Sequence, residues 1–153
     1  MSAESRFHAP LDASPVNVRV KLALLWAATM FCYVYGDYFE LYVPGKLQEM
    51  IGGRLAFGPA TQGALVGTSL LLIVPALMVV LSVLLPPRVC RIANIVLGAF
   101  YAAVMLLAVQ GAWYFYKLFG AVEILLTLSI AWQAWRWPRR GASWSAEPPV
   151  GVR

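Results

Sequence analysis

The sequence predicts an all-α integral membrane protein: a four-helix bundle with both ends on the cytoplasmic side and a short interfacial segment between the first and second helices. Three observations predict it. The chain is 61% hydrophobic and 12% charged, whereas a soluble domain carries about 25% charged residues and about 45–50% apolar ones. The apolar residues gather into four runs, each suited to a bilayer crossing of about 20 residues. The lysines and arginines stand at the ends of those runs instead of forming a patch. The net charge of +5 therefore reads as the membrane pattern and not as a nucleic-acid surface. A small soluble domain leaves too much of its surface wet to hide so much apolar surface.

The elements follow in order. Residues 1–19 form a polar tail that contains the single histidine, His8. The first apolar run extends from Lys21 to about Val43. It follows a polar segment with Pro10, Asp12 and Pro15, is too long for a signal peptide and lacks a small-residue cleavage site, so it is expected to be retained as the first span. Pro44-Gly45 stops it. Lys46 to Pro59 is a connector in which Leu47, Met50 and Ile51 fall on one side of a helical turn or two. A short interfacial helix is expected there, with an ordinary loop resting on the headgroups as the alternative. Ala60 to Leu85 is the second span, in which Pro75 removes one backbone hydrogen bond and predicts a kink. Pro86-Pro87 ends it, and Arg88 to Arg91 is expected to form a basic turn. Ile92 to Val109 is the third span. Gln110-Gly111-Ala112 is a tight turn, which makes spans three and four antiparallel neighbours. Trp113 to Trp135 is the fourth span. The transmembrane domain is thus 20–138, and 139–153 is a basic tail with Pro, Gly and Ser.

Orientation follows from the basic residues. Arg6, Arg19, Lys21, Arg88, Arg91, Arg136, Arg139, Arg140 and Arg153 share one side if there are four crossings; Lys46, Arg54 and Lys117 hold the other. The richer side is cytoplasmic by the positive-inside rule, which puts both termini inside. Trp113, Tyr114 and Tyr116 mark one interface, and Trp132, Trp135 and Trp137 the other. Cys32 and Cys90 make no disulfide framework and read as unpaired.

Charged groups inside a span carry the information about chemistry. Each costs roughly 2.5–3.5 kcal/mol at the bilayer centre, so a partner or a wet cavity is expected. Asp37 and Glu40 lie in span one and Glu123 in span four. Counted from Val43 and Trp113 at 1.5 Å per residue, they sit roughly 9, 5 and 15 Å from the outer ends. Tyr33, Asp37 and Glu40 are spaced four and three apart and form one stripe. Tyr116 and Glu123, seven apart, share a face with Phe119 and Gly120. Lys117 could reach Asp37 or Glu40 as a counter-ion. The candidate ligand site is therefore Tyr33, Asp37, Glu40, Tyr116, Lys117 and Glu123, in the outer half of the bundle.

Asn94, near the inner end of span three, is expected to join helices by a hydrogen bond instead of touching a ligand. Gly63 and Gly67, and Gly98 with Ala102, match the small-xxx-small pattern of close helix approach; packing within the chain is the expected use and dimerisation the lesser one. No metal-ligand cluster, phosphate loop or nucleophile–base pair stands out, so no catalytic residue, metal or cofactor is assigned. Four helices also leave little room for an alternating-access repeat, a limit a homo-oligomer would relax.

Three segments together resemble an uncharacterised family of bacterial membrane proteins with four predicted helices. The first is Trp26, Met30-Phe31, Tyr33, Tyr35 and Asp37, followed by Leu41-Tyr42, Pro44-Gly45 and Leu47. The second is Arg91 to Gly98, with Asn94 inside it. The third is Glu123 followed by Trp132-Gln133-Ala134-Trp135-Arg136-Trp137. The resemblance covers roughly Lys21 to Trp137; Gly36 departs from the alanine more usual there. It implies the four-helix architecture and puts Asp37, Asn94 and Glu123 at motif positions, and it brings no activity.

Three functions remain open. The first is a non-enzymatic membrane protein that binds a small ligand, lipid headgroup or cation at the acidic and tyrosine-lined site. The second is a structural or accessory subunit that packs on a membrane partner or a second copy, its acids serving only helix packing. The third is a membrane enzyme or redox accessory acting on a quinone or lipid. The lipid bilayer is a partner in all three, and nucleic acid in none.

Overall fold

Four long helices dominate the computed structural model, which describes residues 16–55 and 58–137. In chain order they are α1 (Val18–Glu40), then a short α2 (Lys46–Ile51) and a two-residue antiparallel hairpin of β1 (Arg54–Leu55) and β2 (Gly58–Pro59), then α3 (Gln62–Leu84), α4 (Pro87–Ala108) and α5 (Tyr114–Trp135). The four long helices are each long and apolar enough to cross a membrane. His8, the rest of the polar tail to Pro15, and Arg139, Arg140 and Arg153 lie outside the described residues.

Local chemistry sets the helix ends. Asn17 accepts a hydrogen bond from the Arg19 amide at 2.9 Å and starts α1 before Lys21. Thr61 does the same for α3 through the Ala64 amide at 3.2 Å, as side-chain oxygens do for the free N–H groups of a first turn. Pro44-Gly45 separates α1 from α2, so the connector does hold a short helix. The turn expected at Arg88 to Arg91 is instead the opening of α4. Pro87 occupies its first position, where a missing N–H costs nothing and the fixed φ suits a helix. The basic residues there therefore stand on a helix. Gln110 and Ala112 bond back to Leu107 and Val109 and close the turn into α5.

The long helices form a row, α3–α1–α5–α4, in which each packs along the next; α3 and α4, though consecutive, meet at only a few places. The α4–α5 contact is close because of two glycines. A Cβ on Gly98 would lie 2.8 Å from the Thr127 carbonyl oxygen and 3.1 Å from the Ala131 nitrogen, and one on Gly120 would collide with Val109. Gly63 and Gly67 behave differently from the expectation: nothing lies within 4 Å of a Cβ placed on either. Both are exposed on α3, because α3 turns its opposite face to α1.

The packed core lies toward the end of the molecule where α3 turns into α4. Leu22, Trp26, Met78, Tyr101, Ile130 and Ala134 form it. Asn94 ties three helices together there. Its Oδ1 accepts from Trp26 Nε1 at 2.8 Å and from Ser82 Oγ at 3.3 Å, while its Nδ2 donates to the Cys90 carbonyl at 2.8 Å. All these groups are buried, where an unmade hydrogen bond is expensive. Two arginines close the same end. Arg19 Nη1 donates to the Val83 carbonyl at 2.8 Å and Arg91 Nη2 to the Trp135 carbonyl at 2.9 Å, the first meeting a carbonyl whose helical partner would be Pro87 and the second the carbonyl of the last residue of α5.

Candidate functional site

At the opposite end, the row of helices, α2 and the α4–α5 turn line an open-sided cavity of about 600 Å³. Its position follows from the packing order. α3 follows α1 and α4 follows α5, so beyond Tyr101 the two outer members of the row stand apart. Tyr33, Asp37 and Glu40 of α1 line one side, Tyr116 of α5 another, Thr68 and Leu72 of α3 and Val104 and Ala108 of α4 the flanks, and Lys46, Arg54 and Gln110 the polar end.

Glu40 is paired: Lys46 Nζ approaches its Oε1 to 2.6 Å. This pair bridges the Pro44-Gly45 turn and holds α2 against the end of α1. Asp37 is not paired. Among the described residues no cation lies within salt-bridge distance of its carboxylate and no donor is hydrogen-bonded to it. Arg54, on the exposed strand β1, likewise has no side-chain partner among the described residues. Beyond α1, Tyr42 shares a 2.9 Å hydrogen bond with the Tyr38 hydroxyl, and that bond pushes the Tyr42 phenol above its ordinary pKa.

Glu123 sits behind the cavity instead of on its surface. It is 2% exposed, and its Oε2 has no hydrogen-bond partner. Thr127, one turn on, donates to the Glu123 backbone carbonyl and not to the carboxyl. Asp37, Tyr33, Cys32 and Tyr116 all lie within electrostatic reach of the buried acid.

The model of DUF6326, described as a family of unknown function, matches residues 15–143. The chain belongs to DUF6326. No curated protein and no solved structure matches it.

Of the residues singled out from this DUF6326 sequence, the structure brings Tyr33, Asp37, Glu40 and Tyr116 to one cavity and puts Glu123 next to it. Lys117 is a correction. It is exposed, its Nζ lies 5.5 Å from the Tyr114 ring centroid, and it pairs with neither Asp37 nor Glu40. The position expected for it is held by Lys46, six residues past Glu40. Position on the helix explains this: Lys117 follows Tyr116, and one step of about 100° turns it away from the face Tyr116 presents.

Lys46, Arg54 and Tyr101 were missed. The signal for the first two was present, since they are two of the three basic residues on the sparse side. Tyr101 has no local signal, because its role depends on where α3 lies. Chemically, the cavity offers a carboxylate and a guanidinium without partners among the described residues, two tyrosines in its lining, and apolar flanks. Among the described residues there is no group of three or more His, Cys, Asp and Glu placed to hold a metal ion.

Proposed function

We propose that this chain is a multi-pass protein of a bacterial cytoplasmic membrane that binds a small ligand carrying a cationic group, whether a lipid headgroup or a free cation, in the cavity beside Asp37. In this reading the four long helices cross the bilayer, the α3–α4 end with Arg88 and Arg91 at the start of α4 faces the cytoplasm, and the cavity belongs to the outer half of a four-helix bundle. The basic bias between the two ends supports that orientation.

The observation that carries the reading is Asp37 itself. An acid inside a membrane helix normally finds a partner or water. Asp37 is exposed, has no protein partner among the described residues and lines an open-sided cavity large enough for a small molecule, within the usual range of about 300–1,000 Å³ for ligand pockets. If the acids served only to hold helices together, they would be expected to engage each other's helices. Glu40 does so through Lys46, whereas Asp37 and Glu123 do not.

Thermal unfolding of the purified chain, with sodium chloride, magnesium chloride, ethanolamine or tetramethylammonium added, tests the proposal. At least one cation should raise the melting midpoint of the native chain, and Asp37→Asn should abolish that rise. No response to any of the four, or the same response from Asp37→Asn, would overturn it.

A second reading, an accessory subunit that packs on a partner helix, is favoured by one feature. The Gly63–Gly67 face of α3 is exposed, with open space where another backbone could approach.

A further inference from the structure

We infer that the occupant of the cavity is an amphiphile with a primary amine and a phosphate in its head, such as an aminophospholipid, admitted sideways between α3 and α4. This rests on the binding function proposed above and narrows it to one ligand class and one route.

The route comes from the helix row. α3 and α4 are pinned to each other by Tyr101 on the Leu71 carbonyl at 2.7 Å and, nearer their turn, by Ser82 on Asn94 and Cys90 on the Ser82 carbonyl. Past Tyr101 they form facing walls of the cavity, Thr68, Leu71 and Leu72 against Val104, Leu107 and Ala108. These walls are almost entirely apolar. They belong to helices long enough to cross a bilayer, so the slot between them opens at the depth of acyl chains and not of water. The polar end is overlain by α2 and β1, which contribute Lys46, Met50, Arg54 and Leu55 to the lining.

The head chemistry comes from the charges left over. Glu40 and Lys46 satisfy each other. Asp37 and Arg54 remain, one of each sign, on the same cavity. A zwitterion matches that arrangement. The guanidinium fork suits a phosphate, and the carboxylate, in the same lining as Tyr33 and Tyr116, suits an ammonium group. A primary ammonium can donate hydrogen bonds to Asp37, which a quaternary one cannot. The apolar slot then takes the start of an acyl chain.

The test is lipid binding to the purified full chain, followed by native mass spectrometry and by the melting midpoint. Phosphatidylethanolamine, phosphatidylcholine, phosphatidylglycerol and water-soluble phosphoethanolamine serve as probes. Phosphatidylethanolamine should bind at least about tenfold more tightly than phosphatidylcholine or phosphatidylglycerol, the scale expected for one charge-assisted hydrogen bond, and more tightly than phosphoethanolamine, which lacks the acyl chains. Asp37→Asn should remove the preference over phosphatidylglycerol. Arg54→Gln should weaken phosphatidylethanolamine about tenfold, with recovery in Arg54→Lys; Arg54 stands on the exposed hairpin, so these variants should keep the native melting midpoint without lipid. Ala108→Phe, which narrows the slot, should weaken the lipid and leave phosphoethanolamine unchanged. Equal binding of phosphoethanolamine and the lipid would overturn the amphiphile while keeping a cation site. Equal binding of phosphatidylglycerol and phosphatidylethanolamine would overturn the amine. No binding by any probe, together with no cation response, would remove the proposed function as well.

Discussion

The Tyr101 hydroxyl donates to the Leu71 carbonyl at 2.7 Å, and Leu71 is the residue whose helical partner would be the amide of Pro75. Proline has no N–H, so a tyrosine from the next helix supplies the missing donor. The same substitution recurs at the end of α3. Ser82 and Val83 stand four residues before Pro86 and Pro87, and their carbonyls accept from Cys90 Sγ at 3.2 Å and Arg19 Nη1 at 2.8 Å. Three carbonyls left open by three prolines are thus met by side chains of α1 and α4, which lets α3 continue through Pro75 and stop cleanly at Leu84.

This pairing predicts a specific coupling. Tyr101→Phe should destabilise the protein by about 1–2 kcal/mol, since it leaves a partly buried carbonyl unsatisfied. In a Pro75→Ala background the restored amide fills that carbonyl, and the same change should cost less. A double-mutant cycle read by chemical or thermal unfolding checks this. Equal costs in both backgrounds would show that the bond to Leu71 does not depend on the proline.

The glycines separate by role in the same way. Gly98→Val should cost about 1–3 kcal/mol or more, because the added carbon meets the backbone of α5 at Thr127 and Ala131, which cannot swing aside. Gly63→Leu and Gly67→Leu should leave the melting midpoint of the monomer nearly unchanged. If either of them instead weakens self-association in crosslinking, that face of α3 is an interface, and the accessory reading gains.

Much of this architecture was legible in the sequence, and the failures have physical causes. Four apolar runs and their proline and glycine stops locate four long helices within a few residues. The Asn94 contact was expected from a polar side chain in an apolar run, and the structure shows it linking α1, α3 and α4. The Arg88–Arg91 turn was misread because two prolines look like a break, although the second is a good first residue for a helix. Gly63-xxx-Gly67 was read as intramolecular packing because its spacing says only that a close approach is permitted, not which helix takes it. Lys117 was preferred over Lys46 because separation along a helix can be counted, whereas a turn that brings α2 back over Glu40 cannot. The order α3–α1–α5–α4, which creates the cavity, is a property of tertiary packing that no single helix encodes.

The proposed topology has its own test. Single cysteines at Arg54 and Arg88, in a chain whose own cysteines are replaced, should react with a membrane-impermeant maleimide from opposite sides: Arg54→Cys in intact cells and Arg88→Cys only after permeabilisation. Labelling from the same side would refute the single crossing by α3 between them, and with it the four-crossing topology.

Glu123 presents the sharpest energetic conflict in the molecule. It is 2% exposed, one of its oxygens has no hydrogen-bond partner, and the nearby hydroxyl of Thr127 is spent on the backbone. A buried polar group without a partner costs about 1–3 kcal/mol. Glu123→Met, close in volume and apolar, removes that cost. It should raise the melting midpoint by several degrees, about 2–8 °C per kcal/mol for domains of this general size. Stabilisation of this sign is characteristic of a residue retained for activity and not for the fold. The companion measurement is the cation response of the same variant. A more stable Glu123→Met that responds less to the cation that stabilises the native chain would make Glu123 part of the site's electrostatics. A destabilised Glu123→Met would show instead that the carboxyl holds α5 in place.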